Sequence, residues 1–176
     1  NKWAFFPSAA VKWNISKEPF MRGVGWISDL SLRASAGRTG NDAVAAYRSL
    51  LAYSSSTDSY IFDNSMGVTY YPSRLANPDL TWETTVSHNI GLDFSFLKSR
   101  INGSFEVYHN TTNDLLIQFP VAGSGYDYQY RNLGSVQNRG FEASVNFVIF
   151  EKKNFGLTLG GNISLNQNKV TSLGGL

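Results

Sequence analysis

Residues 81–96 alternate between apolar and polar side chains. The even positions are Trp82, Thr84, Val86, His88, Ile90, Leu92, Phe94 and Phe96. The odd positions are Glu83, Thr85, Ser87, Asn89, Gly91, Asp93 and Ser95, with no large apolar residue among them. Successive side chains of a strand point to opposite faces, so this segment carries one apolar and one polar face. At about 3.3 Å per residue and a tilt of about 40°, residues 84–94 climb roughly 25 Å, the height of the apolar band of a transmembrane β-barrel. Trp82 at one end and Phe94 with Phe96 at the other stand where such a barrel places its interfacial aromatics. A half-buried strand of a soluble antiparallel sheet has the same period, so alternation alone leaves both readings open.

Five further segments read as strands. Residues 4–15 set Phe5, Ala9, Val11, Trp13 and Ile15 against Phe6, Ser8, Ala10, Lys12 and Asn14. After a connection over 16–29, Leu30, Leu32, Ala34 and Ala36 oppose Ser31, Arg33, Ser35 and Gly37. The stretch 38–80, rich in Ser, Asn, Asp and Tyr, reads as irregular, with Asn41 or Asp42 placed to cap a short helix over 43–51. Lys98-Ser99 predicts a tight turn from 81–96 into a fourth strand over 100–118, followed by a loop dense in Gly and Tyr over 119–132. A fifth strand ends near Phe150, with Phe141, Ala143, Val145 and Phe147 against Glu142, Ser144 and Asn146. A turn over 151–154 leads to a sixth strand over 155–166. A two-residue loop at Lys98-Ser99 sets the register: Phe96 opposite Ile101, Leu92 opposite Phe105, and His88 opposite His109, all on the outward face.

The shorter connections then fall at one end and the two long loops at the other, as in outer-membrane barrels. Six strands are fewer than the minimum of about 8 in bacterial barrels. The chain therefore reads as an all-β, antiparallel transmembrane β-barrel fragment.

Composition agrees with that reading and narrows the chemistry. Among 176 residues, 42% are apolar, 14% aromatic and only 16% charged. An average soluble domain has roughly 25% charged residues, so the polar faces here rely on Ser, Thr, Asn, Gly and Gln. A net charge of +2 with scattered basic residues gives no reason to expect nucleic acid. There is no cysteine, hence no disulfide or thiolate metal site, and no apolar run long enough for a transmembrane helix.

Several segments closely resemble recurring phrases of the SusC/RagA family of TonB-linked outer-membrane transporters. They are LSLRASAGRTGN at 30–41, NPDLTWETT at 77–85, NIGLD at 89–93, YHNTT at 108–112 with DLL at 114–116, and NLGSVQNRGFE at 132–142. FPS at 6–8 with Trp13, and NQNKV at 166–170, fit the same pattern at the two ends. The resemblance runs in one order over nearly the whole chain. It implies about six strands of a 22-strand-type barrel with a plugged lumen, from the C-terminal part of that single barrel domain, with the plug and the barrel-closing strands outside these residues. It further implies a cell outer membrane location in a Gram-negative bacterium. The implied partners are outer-membrane lipid, a SusD-like surface lipoprotein acting as a lid, the TonB complex acting through the plug, and an oligosaccharide or peptide substrate. The family phrases look structural, and no binding residue is carried over from them.

Ligand candidates come from the loops instead. Tyr70 and Tyr71 lie in the first long loop, with Tyr47, Tyr53, Tyr60 and Phe62; Tyr126, Tyr128 and Tyr130 lie in the second. Tyrosine offers an apolar ring face and a hydroxyl, which suits sugars and peptides alike. The same rings could instead pack the loops, meet the lid or anchor at the membrane interface. Asp127 and Arg131 flank the second cluster and would either bond a ligand or close a loop salt bridge. Lys12, Arg33, Glu83, Asp93, Glu106 and Glu142 are expected in the lumen, paired or hydrated. No nucleophile elbow, zinc motif or phosphate loop is present, so the chain is not read as an enzyme and no cofactor is expected. Two histidines are too few for the usual zinc site, and no metal is expected. A soluble β-sheet adhesin or binding module, and an outer-membrane enzyme such as a lipase, are the competing functions.

Overall fold

The structure is a computed structural model that describes residues 3–41, 47–62 and 65–174. Its strands are β1 (Ser8–Asn14), β2 (Ile27–Asn41), β3 (Ala52–Phe62), β4 (Ser65–Leu75), β5 (Glu83–Phe96), β6 (Ile101–Asn113), β7 (Leu116–Pro120), β8 (Tyr128–Asn132), β9 (Ser135–Lys152) and β10 (Phe155–Ser172). Two 3-10 turns, Ile15–Lys17 and Pro19–Met21, lie between β1 and β2. Six strands form one antiparallel sheet in the order β1-β2-β5-β6-β9-β10, and the other four form a second sheet in the order β3-β4-β8-β7.

The six-stranded sheet carries the expected alternation and register. The β5–β6 ladder runs from Phe96 opposite Ile101 to Thr84 opposite Asn113, with His88 facing His109. The turn has positive φ at Leu97 (54°), Lys98 (57°) and Ser99 (65°). Positive φ at both central residues is what a two-residue hairpin needs to match strand twist. Arg100 N–H closes it onto Leu97 O at 3.4 Å. At the same end Leu97 N–H bonds Trp26 O, joining this hairpin to the β1–β2 connection.

Following the register across strands shows what each face is made of. The outward rows are Val11–Ala34–Ile90–Val107–Phe141–Leu165, then Trp13–Leu32–Leu92–Phe105–Ala143–Ile163, then Leu30–Phe94–Gly103–Val145–Gly161, then Ile27–Phe96–Ile101–Phe147–Leu159. A bulge at Ile149 keeps Phe150 opposite Leu157 at the foot of the same face. From Leu157 to Leu165 the band extends roughly 26 Å along β10, or roughly 20 Å in height once tilted. These side chains are not a core: Ile90 is 59% and Leu165 57% exposed, and the only buried apolar side chain among the described residues is Val121. A soluble domain would cover such a face; a lipid-facing one leaves it bare.

The inward rows are polar. Lys12–Arg33–Gly91–Glu106–Glu142–Ser164 and Asn14–Ser31–Asp93–Ser104–Ser144–Asn162 are neighbours across the sheet. Two glycines make room for long side chains there. A Cβ on Gly91 would lie 2.9 Å from Arg33 Nη2, and one on Gly140 would lie 2.6 Å from Tyr108 Oη.

The long connections depart from the expectation. The stretch 38–80 is not irregular: β2 continues to Asn41, and β3 and β4 form a hairpin. Both hairpin faces carry polar residues (Ser54 opposite Tyr71, Ser55 opposite Tyr70), so no one-sided alternation marks it in the sequence. Of the expected helix over 43–51, residues 43–46 lie outside the described residues, and 47–51 are not helix: Tyr47 has φ 64° and begins a turn, which breaks any helix there. The expected fourth strand over 100–118 is split at Asp114, whose φ of 58° turns the chain out of the sheet. Beyond it β7 pairs with β8, so 119–132 is also partly strand.

Candidate functional site

The second sheet brings the two long connections together at one end of the main sheet. β4 and β8 pair in parallel through Arg74–Tyr128 and Leu75–Gln129. Side-chain amides reinforce the junction: Asn77 Nδ2 donates to Tyr130 O at 2.7 Å, and Gln129 Nε2 to Ala76 O at 2.7 Å. Asn132 is the main clamp. Its Oδ1 accepts Thr81 N–H at 2.8 Å, while its Nδ2 donates to Thr81 O at 2.8 Å and Asp114 O at 2.9 Å. Glu83 accepts Leu116 N–H at 2.8 Å and the Asn41 amide at 3.0 Å, fixing β7 to the rim. Trp82 stacks on Phe6, with ring centroids 5.7 Å apart. Asn77, Trp82, Glu83 and Asn132, all in the family-like phrases, are therefore structural fastenings.

Tyr128 and Tyr130 share one face of β8, with rings edge to face at 5.6 Å. Arg48 lies over the Tyr130 ring at 4.9 Å, a cation–π contact. Arg131 points to the other face, where it covers Phe119 at 4.6 Å and donates to Gln129 Oε1 at 2.7 Å. Asp127 and Arg131 form no salt bridge; the Asp127 carboxylate is exposed, while its backbone N–H bonds Ser73 O at 3.1 Å. Tyr126 is half-buried and its N–H donates to Ser124 Oγ at 3.2 Å. Tyr70 is 74% exposed on β4, and Tyr71, its neighbour in sequence, faces the opposite side of the hairpin. The structure thus joins Tyr128 and Tyr130 with Arg48, and leaves Tyr70, Tyr71 and Asp127 as separate exposed groups. The side chains of Tyr60 and Phe62 fall outside the description. Arg48 escaped notice because it sits on a segment that read as helix, far in sequence from its partner.

On the inner wall, four of the six expected lumen charges pair: Lys12, Arg33, Asp93 and Glu106. Arg33 donates from Nε to Asp93 Oδ2 at 2.9 Å, and from Nη2 to Asp93 Oδ1 and Glu106 Oε2 at 3.2 Å each. Lys12 stands 3.8 Å from Asp93, and Asn89 Nδ2 donates to Glu106 Oε1. Glu142 forms no ion pair among the described residues. Two buried amide oxygens on this wall, Asn89 Oδ1 and Asn138 Oδ1, have no partner within the chain. The wall is a dense field of donors and acceptors suited to a polar solute or to polar protein inside a barrel. No cluster of three metal-ligating side chains occurs among the described residues.

Residues 1–175 match the family model described as TonB dependent receptor-like, beta-barrel. TonB-dependent receptor SusC of Bacteroides thetaiotaomicron is 38% identical over 184 residues, which cover 99% of this chain and 18% of that protein. TonB-dependent receptor P26 of Formosa agariphila is 38% identical over 179 residues, covering 100% of this chain and 18% of that protein. Among solved structures, the RagAB peptide importer in its open-open state superposes with a TM-score of 0.84 at 31% identity, over 98% of this chain and 18% of the matched chain. The chain thus spans about a fifth of the length of the relatives it matches.

Proposed function

The chain belongs to the TonB dependent receptor-like β-barrel family, and from that membership we propose that the full-length protein imports a large polar nutrient across the outer membrane. It is a stretch of one barrel domain, whose plug and closing strands lie elsewhere in that protein. The nutrient is an oligosaccharide or a peptide, energy comes from the TonB complex acting through the plug, and a SusD-like lipoprotein covers the outer opening. Likeness to SusC and to the RagAB peptide importer supports this reading. The observation that carries it is the two-faced sheet, bare and apolar outside and hydrogen-bonding inside, topped by a tyrosine-bearing second sheet. The bare face argues against a soluble adhesin, and the relatives are receptors and transporters, not enzymes.

Tyr128 and Tyr130, with Arg48, are the ligand-contacting group on this reading; Tyr126, Asp127, Arg131, Tyr70 and Tyr71 are separate candidate contacts on the same two loops. The test is uptake of fluorescently labelled oligosaccharide and oligopeptide pools by cells carrying or lacking the full-length gene. Uptake of one pool should fall to background on deletion, and equally on loss of TonB. Y128A/Y130A should reduce uptake at least about fivefold at unchanged protein level, from roughly 0.5–1.5 kcal/mol for each of the two aromatic contacts. Equal uptake of both pools with and without the gene would overturn the proposal.

A further inference from the structure

Immediately above the outward apolar rows the chemistry changes sign and kind. The next outward row is Ala9–Ala36–His88–His109–Arg139–Gln167, and the one above it includes Arg38, Val86, Thr111, Gln137 and Lys169. His88 opposes His109, and His109 opposes Arg139, so these pairs stand about 5 Å apart at Cβ; Arg38 lies diagonal to His88, and Lys169 to Arg139, at about 7–8 Å. Five basic side chains therefore run without a break across five strands. The acids on the strands of this sheet, Asp29, Glu83, Asp93, Glu106, Glu142 and Glu151, all have the inward parity. Asp114, just past β6, shares a pocket with Arg38, Trp3 and Trp82. Arg139 is held level with the surface by its bond to Gln167 Oε1 at 2.9 Å.

Below Arg139 and His109 a shallow groove of about 510 Å³ opens over Val107, Phe141 and Leu165. A second groove, of about 420 Å³, lies beside His88, where Ala9, Ala34 and Ala36 are too short to fill the surface. Each groove has an apolar floor inside the membrane band and a basic rim at its upper boundary. That is the division of an acidic lipid into acyl chain and headgroup.

We propose that this outward face binds an outer-leaflet lipid whose headgroup carries net negative phosphate, with Arg139 and Lys169 as the principal contacts and the His88–His109 pair between the two acyl grooves. Arginine and lysine at an anionic surface bring roughly a fivefold gain each, or about thirtyfold for the pair. The basic row favours a lipid of net negative charge over one of zero net charge. The inference rests on the outer-membrane reading above.

The test uses the full-length transporter in nanodiscs of phosphatidylcholine with about one-fifth phosphatidylglycerol, a mixture chosen for its charge contrast. Insertion as a folded barrel is scored first, by heat-modifiable gel mobility; lipids retained on release are then identified by native mass spectrometry. The retained phosphatidylglycerol-to-phosphatidylcholine ratio should stand well above the supplied ratio in the parent, about thirtyfold lower in R139Q/K169Q, and as in the parent in R139K/K169R. K169Q alone, on an exposed side chain, carries the comparison if the double variant does not fold. A folded parent that retains the two lipids in their supplied ratio overturns the inference and leaves the transporter reading intact. So does an enrichment that R139Q/K169Q leaves unchanged, or a second protein copy on this face in place of lipid. Failure of the parent to insert would overturn both.

Discussion

Replacing Arg33 by Met tests the inner wall most sharply. Arg33 makes three charge-assisted bonds, two to Asp93 and one to Glu106, between side chains that are each about one-third exposed. At about 3 Å a unit charge pair is worth roughly 1.4 kcal/mol in bulk water and roughly 5.5 kcal/mol at an effective dielectric of about 20. Ordering two long side chains in partial solvent reduces such pairs to about 0–1 kcal/mol, with the bidentate pair at the upper end. Arg33→Met should therefore cost about 2 kcal/mol, about 1 for each acid released. Asp93 keeps Lys12 at 3.8 Å, but Glu106 is left with only the Asn89 amide. Neutralising the acids as well, in R33M/D93N/E106Q, removes the stranded charges, and the total loss should fall to about 1 kcal/mol or less. The measurement is urea unfolding of the full-length barrel in detergent micelles, followed by tryptophan fluorescence at low salt and in about 1 M NaCl, where the R33M deficit should shrink by about half. An R33M midpoint within error of the parent, or a triple variant as unstable as the sum of its parts, would refute the argument.

Three further outcomes follow from single sites. Asn132→Ala removes three hydrogen bonds that tie the second sheet to Thr81 and Asp114; proteolytic cutting within 114–134 should rise at least about tenfold, with the main sheet's unfolding unchanged. Lys98→Gly relieves a positive φ of 57° at an exposed position, so it should stabilise the barrel by up to about 1 kcal/mol in the same urea assay, and a clear loss would contradict the turn geometry. A cysteine at Ala122 should react with a membrane-impermeant maleimide on intact cells, and one at Asn154 only after permeabilisation; the reverse pattern would invert the topology.

The six-stranded sheet was legible because its two faces meet different solvents. Lipid on one side and water on the other force a period of two on every strand, and it is readable in Ile90, Leu92 and Phe94 against Asn89, Gly91 and Asp93. The two-residue turn then set the register, down to the pairing of His88 with His109. The second sheet left no such trace. Both of its faces are polar or partly wet, so β3 and β4 read as loop, and β6 and β7 read as one strand across Asp114.

What joins that second sheet is remote in sequence. Arg48 meets Tyr130 and Asn77 meets Tyr130 O, while Asn132 reaches both Thr81 and Asp114. Tyr128 and Tyr130 were visible as a cluster, but their separation from Arg131, by strand parity, needed β8 to be known as a strand. Alternating solvent along a strand is a local constraint, written residue by residue, whereas a bond between distant loops exists only once the sheet beneath has brought them together.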